Sequence, residues 1–164
     1  ALIQVPVAFP PPIGNINQTR NASEGAYYGL ELALAGDLAP GVEAGGNYTF
    51  LHRDFSVPGQ SDFEPQGAPR HKLFAYLTWA PSEALSLTPS LEWMSDRWTV
   101  TPTNPPRFVE TGAALLVNLA AELALGERVS LTLGGRNLTD ELYALTDGFP
   151  EEGRSLYFSL RVRN

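Results

Sequence analysis

The chain has no cysteine, only two histidines and one methionine, and fewer bases than acids. Without cysteine there is no disulfide framework and no thiolate metal site. The two imidazoles, His52 and His71, have Asp54, Asp62 and Glu64 nearby in sequence. These side chains could hold a cation only if a loop gathered them, so no metal site is expected. Eleven Lys and Arg against eighteen Asp and Glu leave a formal net charge of -7 with no basic cluster. That balance argues against a partner tracked through its phosphates, and no nucleic acid is expected. No apolar run approaches the roughly 18 residues that a membrane-spanning helix needs. The N-terminal ALIQVPVAFPPP lacks both a basic leader region and an initiating Met, as a mature or excised piece would. Phosphate-cradling Gly loops, nucleophile elbows and zinc-protease helices are missing too, so no catalytic residue and no cofactor are expected.

What the chain does have is punctuation. Fourteen prolines and fifteen glycines gather between segments in which apolar residues recur at period two, the signature of strands. In GAYYGLELALAG, Ala26, Tyr28, Leu30, Leu32 and Leu34 share one face, while Gly25, Tyr27, Gly29, Glu31 and Ala33 take the other. The pattern returns at 42–50, 72–79, 85–93, 112–123, 129–133 and 156–162. With a first strand around residues 1–9, eight strands are predicted within one segment spanning 1–164. The run ETGAALLVNLAAELAL is the local rival, since Ala, Leu and Glu also favour helix.

The connections separate architectures. Short ones at 35–41, 80–84 and 125–128 alternate with long ones at 10–24, 53–69, 99–109 and 139–153. A transmembrane β-barrel has short turns at one end and long loops at the other, whereas a soluble sandwich has no such need. Strands this long also suit a tilted bilayer crossing. Trp79, Trp93, Trp98, Tyr48 and Phe50 lie toward strand ends, compatible with an interfacial girdle or with an ordinary aromatic core. Alternation alone does not say which face meets lipid. The fold class predicted is all-β, an antiparallel up-and-down transmembrane β-barrel, either part of a larger barrel or self-closed.

The run GGRNLTDELYALTDGFPEEGRSLYFSLRVRN resembles the end of TonB-dependent outer-membrane receptors. There a strand leads into an Asn-Leu-Thr/Phe-Asp-x-x-Tyr loop, a Gly-x-Pro-x-x-Gly-Arg turn and a last alternating strand. The matching positions are Asn137, Leu138, Thr139, Asp140, Tyr143, Gly148, Pro150, Gly153 and Arg154. NASEGAYYGLELAL, GVEAGGNYTFLHRDF and APRHKLFAYLTWAP are similar to earlier strands of the family. Gly and Pro in such a loop supply backbone freedom and a fixed φ, and Asn137 and Asp140 can cap the turn, so these roles are structural.

The resemblance implies the last eight strands of a barrel that has about 22, without plug domain or energy-coupling box. The chain also ends in Val162-Arg163-Asn164 where the family usually ends in an aromatic. It implies the cell outer membrane of a Gram-negative bacterium, lipid as a partner, and a companion polypeptide with the plug and remaining strands. The implied activity is TonB-dependent uptake of a scarce small-molecule ligand such as a siderophore, cobalamin or glycan. The alternative is a stand-alone small barrel or accessory subunit with a structural or docking role. Aromatic and Arg side chains on outer loops suit stacking on and pairing with a ligand, which nominates Trp98, Arg107, Phe108, Tyr143 and Phe149.

Overall fold

The computed structural model describes residues 2–8, 15–21, 24–56 and 63–163, and these contain strands and turns without a helix. The strands are β1 (Leu2–Ala8), β2 (Asn15–Asn21), β3 (Glu24–Ala39), β4 (Val42–Ser56), β5 (His71–Ser82), β6 (Leu85–Met94), β7 (Arg97–Val100), β8 (Phe108–Thr111), β9 (Ala114–Ala124), β10 (Val129–Arg136), β11 (Ala144–Thr146), β12 (Phe149–Pro150) and β13 (Ser155–Val162). Seven of them form one antiparallel sheet in the order β13-β10-β9-β6-β5-β4-β3. This is an up-and-down meander. Among the described residues β3 and β13 are its edges, so the sheet is open and not a self-closed barrel.

Residues 2–8 form the expected first strand, but it does not join the main sheet. It pairs with β2, from Leu2 opposite Asn21 to Ala8 opposite Asn15. β2 falls in a stretch read from sequence as connection, because NINQTRN lacks the apolar alternation that marked the others. The long connection at 99–109 likewise holds the turn and inner ends of the β7–β8 hairpin, and that at 139–153 the whole β11–β12 hairpin. The rival helix at 110–125 is instead β9, hydrogen-bonded on both sides by β6 and β10. Pairing on both edges, with β6 along nearly the whole strand and with β10 over residues 119–124, outweighs the helix preference of its alanines and leucines.

Register carries the alternation across the sheet. Leu32, Tyr48, Leu73, Trp93 and Leu115 lie opposite one another in succession on one face. Toward the short turns, Leu87, Ala121, Leu133 and Phe158 continue that face. The other face carries rows such as Ala33, Asn47, Phe74, Glu92 and Leu116, and Ser86, Glu122, Thr132 and Ser159. The apolar face is the open one: Leu34 is 82% exposed, Leu156 79% and Phe158 77%. Met94, Ala114 and Leu116 are the buried hydrophobic residues among those described, and all three lie on the polar face. An apolar surface of this extent needs lipid, not water, as its solvent.

Aromatic rings band the apolar face toward the long-loop end. Tyr28 stacks on His52 at 4.6 Å, Phe50 meets His71 at 5.3 Å, and His71 stacks on Trp93 at 6.3 Å. Tyr48 Oη shares a 2.7 Å hydrogen bond with His71 Nδ1. Tyr48 and Phe50 are mid-strand in β4 yet face the ends of β5 and β6, because β4 is longer. Trp79 lies at the opposite end. Trp98 is the exception, since it sits in β7 over the polar face.

Candidate functional site

All the short turns lie at one end, and the segments that follow β4, β6 and β10 gather at the other. Backbone bonds lace these segments together: Gly67 N donates to Trp98 O at 3.0 Å and Leu51 N to Arg70 O at 2.8 Å. The β11–β12 hairpin touches both β7 and β8. Beneath this roof Met94, Ala114 and Leu116 are buried together with Arg97, Thr99 and Thr111.

Asn137 anchors the final loop. Its φ of 49° turns the backbone out of β10, and the residue is 4% exposed. Its backbone N–H donates to Asn118 Oδ1 at 2.9 Å. Its side-chain amide donates to Glu141 O at 3.0 Å and accepts from Glu141 N at 2.9 Å. Leu138 N donates to Val117 O, and the Leu138 side chain fills the space beside Gly135. Asp140, at φ 58°, accepts from Arg154 N at 2.9 Å and lies 3.8 Å from the Arg154 guanidinium. Gly153 is small because a Cβ there would meet Asp140 Oδ1 at 2.9 Å. Gly148 is glycine for its backbone, with φ 80° at the β11–β12 turn, and Pro150 follows in β12. Thr139 lies in the turn that Asp140 N closes by donating to Asn137 O.

Two cavities open under the roof. One of about 330 Å³ is lined by Arg53, Arg70, Arg97, Trp98 and the carboxylates Glu64, Asp96 and Glu110, among others. The second, of about 490 Å³, is lined by Glu92, Asn118, Arg136, Tyr143, Glu151 and Tyr157, among others. Burial holds the Tyr143 phenol above its ordinary range, with the Glu151 and Glu92 carboxylates adding to the effect. Burial also pulls Arg97 below its ordinary value, and Tyr143 and Glu151 oppose that shift.

The five residues nominated as ligand contacts do not converge. Trp98 lines the first cavity and Tyr143 the second. Phe108 packs edge-to-face on Phe63 at 5.6 Å. Arg107 sits at the β7–β8 turn, its N–H bonded to Thr101 Oγ1 at 3.0 Å. Phe149 is 63% exposed on β12. Sequence inspection missed Arg97 and Arg53, since an isolated Arg in or beside a strand carries no periodic signal. Among the described residues no cluster of His and carboxylates has metal-ligand geometry. Asp62 lies outside the described residues.

Residues 2–138 match the profile of the TonB dependent receptor-like β-barrel family. A search of curated proteins finds no match. Among solved structures, the pyoverdine outer membrane receptor FpvA from Pseudomonas aeruginosa PAO1, bound to pyoverdine, is similar with TM-score 0.70 at 21% identity. That alignment covers 99% of this chain and 25% of FpvA. The ferric-catecholate import receptor Fiu from E. coli aligns with TM-score 0.69 at 14% identity, over 84% of this chain and 21% of Fiu. A complex of FpvAI with pyocin S2 gives TM-score 0.72 at 21% identity, over 94% of this chain and 22% of the matched one. The chain thus spans a quarter or less of the length of these structures. With its lipid-facing apolar sheet, its roofed polar face and the profile match over most of its length, the chain belongs to the TonB-dependent receptor-like β-barrel family of the Gram-negative outer membrane.

Proposed function

We propose that this chain forms part of the wall and outer-loop roof of a receptor for TonB-dependent uptake of a scarce ligand, of the siderophore, cobalamin or glycan kind. The family match over residues 2–138 carries the reading. The solved relatives favour the siderophore class, being receptors for pyoverdine and ferric catecholate. The roofed polar face, with its two cavities, is where a ligand would be met.

The open sheet edges bear on how the wall is completed. In hydrocarbon an unpaired backbone N–H or C=O costs several kcal/mol, so transmembrane sheets close. We infer that further strands pair with β3 and β13, whether from this polypeptide or a companion that also carries a plug. The stand-alone eight-stranded barrel loses ground, because β1 pairs with β2 instead of bridging the two edges.

Two measurements test this. The mass of the native detergent-extracted assembly should match a barrel of about 22 strands. A lone chain of 17.8 kDa in a micelle would sink the transporter reading. Cells carrying the assembly should accumulate a labelled ferric siderophore from a panel, and a proton uncoupler should abolish that uptake.

A further inference from the structure

The lipid face is not evenly filled. A groove of about 600 Å³ runs over β4 on that face, with β3 along one side and β5 along the other. Its floor is small, because Gly36 lies opposite Ala44 and Gly46 opposite Ala75. Leu34 stands exposed at the β3 side. Toward the long loops the row Leu32, Tyr48 and Leu73 closes the groove, and the Tyr48 ring is fixed there by its 2.7 Å hydrogen bond to His71. At the other end the groove opens beside Leu38 and the short turn. Trp79, opposite Val42 and exposed, shares the lipid face at that mouth.

The two floor glycines differ in kind. Gly46 is glycine by necessity, since a Cβ there would meet Phe74 O at 2.6 Å. Gly36 has no such reason: nothing lies within 4 Å of where its Cβ would be, and its φ is not left-handed. A glycine inside a strand weakens the strand. What it does here is keep the groove open.

Shape and setting decide what fills it. The backbones of β3 and β5 are two strand spacings apart, about 10 Å, which is too narrow to admit a helix of about 10–12 Å diameter. From Ala44 to Tyr48 the groove runs about 14 Å along β4, close to half of a hydrocarbon core of about 30 Å. It is continuous with the lipid-facing surface of the sheet, so hydrocarbon is what it meets. A strand added to the free edge of β3 lies beside β3 and leaves the groove uncovered. The Trp79 indole, apolar in its body and a donor at its N–H, suits the level of the lipid esters.

We propose that this groove seats one acyl chain of a diacyl phospholipid from the leaflet at the short-turn end, with the ester region beside Trp79 and the chain end at Tyr48. The seat depends on the outer-membrane setting and not on what the receptor takes up.

The test titrates the native assembly in detergent with a phosphatidylethanolamine whose acyl chains are dibrominated, and reads quenching of Trp79 by difference against Trp79→Phe. Saturable quenching is expected. In Gly36→Leu, whose side chain fills the groove, half-saturation should rise about tenfold or more, the scale of two methylenes no longer buried. Ala75→Leu, which fills it from β5, should act likewise and serves where Gly36→Leu does not assemble. Ala121→Leu adds bulk to the lipid face on β9, outside the groove, and should titrate like the parent. Heat-modifiable gel mobility confirms that each variant is folded. The proposal is overturned if quenching grows without saturating, if the folded filling variants titrate like the parent, or if Ala121→Leu weakens binding equally. It is also overturned, in favour of a second copy, if the assembly is twofold in detergent and Gly36→Leu separates it. No readout needs an energised membrane or a transported ligand, so failure here leaves the uptake reading standing, and loss of uptake leaves the lipid seat standing.

Discussion

At Asn137 one amide ties the end of β10 to the loop that follows, through Glu141 N and O, while its backbone N–H reaches Asn118. Asn137→Gly keeps the left-handed backbone and removes only the amide. The local opening free energy at Leu138, Asp140 and Glu141, read by amide hydrogen exchange, should then fall by about 1–3 kcal/mol. Tyr143 titrates abnormally because burial disfavours its phenolate. Since its folded pKa is raised, its contribution to stability is whole below the ordinary tyrosine value and is lost as pH rises through the raised one. Phenolate absorbance should therefore show a late component that shrinks in Tyr143→Phe. The Asn-Leu-Thr-Asp motif was legible in sequence because its geometry is local. Arg97 was not, because its meaning depends on Gly67, brought to it by the loop that follows β4, as well as on the neighbouring Met94.

Strands pack here through pairs of glycine and ring on the polar face. The Tyr76 ring lies over Gly45, and Tyr76 Oη donates to Glu43 Oε1 at 2.6 Å. Tyr157 lies over Gly134 in the same manner, with the Arg136 guanidinium 5.5 Å from its ring. A Cβ on either glycine would occupy the ring's place. Gly134→Val should lower the urea stability of the detergent-folded assembly by about 1–3 kcal/mol through overpacking. Adding Tyr157→Ala should return part of that loss, and the double-mutant cycle measures how much. The long strands were legible because one face of each carries a run of apolar residues at every second position. The hairpins β1–β2, β7–β8 and β11–β12 include segments that lack this stripe, since they lie outside the main sheet and are held by backbone pairing, with β11 also touching β7 and β8.

The whole molecule is a soluble fold turned inside out, with its apolar residues outward and a small core under the roof. Period-two alternation reveals two faces in any sheet, so sequence left their assignment open; exposure of Leu34, Leu156 and Phe158 decided it. Leu119→Arg, on the lipid face and well inside β9, should cost about 2–4 kcal/mol of folding stability in bilayers. Ser90→Arg, at the neighbouring level on the polar face, should cost little. Folding titrations in vesicles measure both. The strands rise from a roughly common base at the short turns, but to unequal heights: β3 and β4 have 16 and 15 residues, β10 and β13 have 8 each. At about 3.4 Å per residue and a tilt near 45°, the former rise roughly 38 Å and the latter roughly 19 Å, against an apolar band of about 25 Å. The rim is therefore a slope, and the bilayer beside β13 must thin to meet it. Lipid is least well matched at that seam, which makes the β13 side the softest point of the wall for anything that prises the sheet apart sideways.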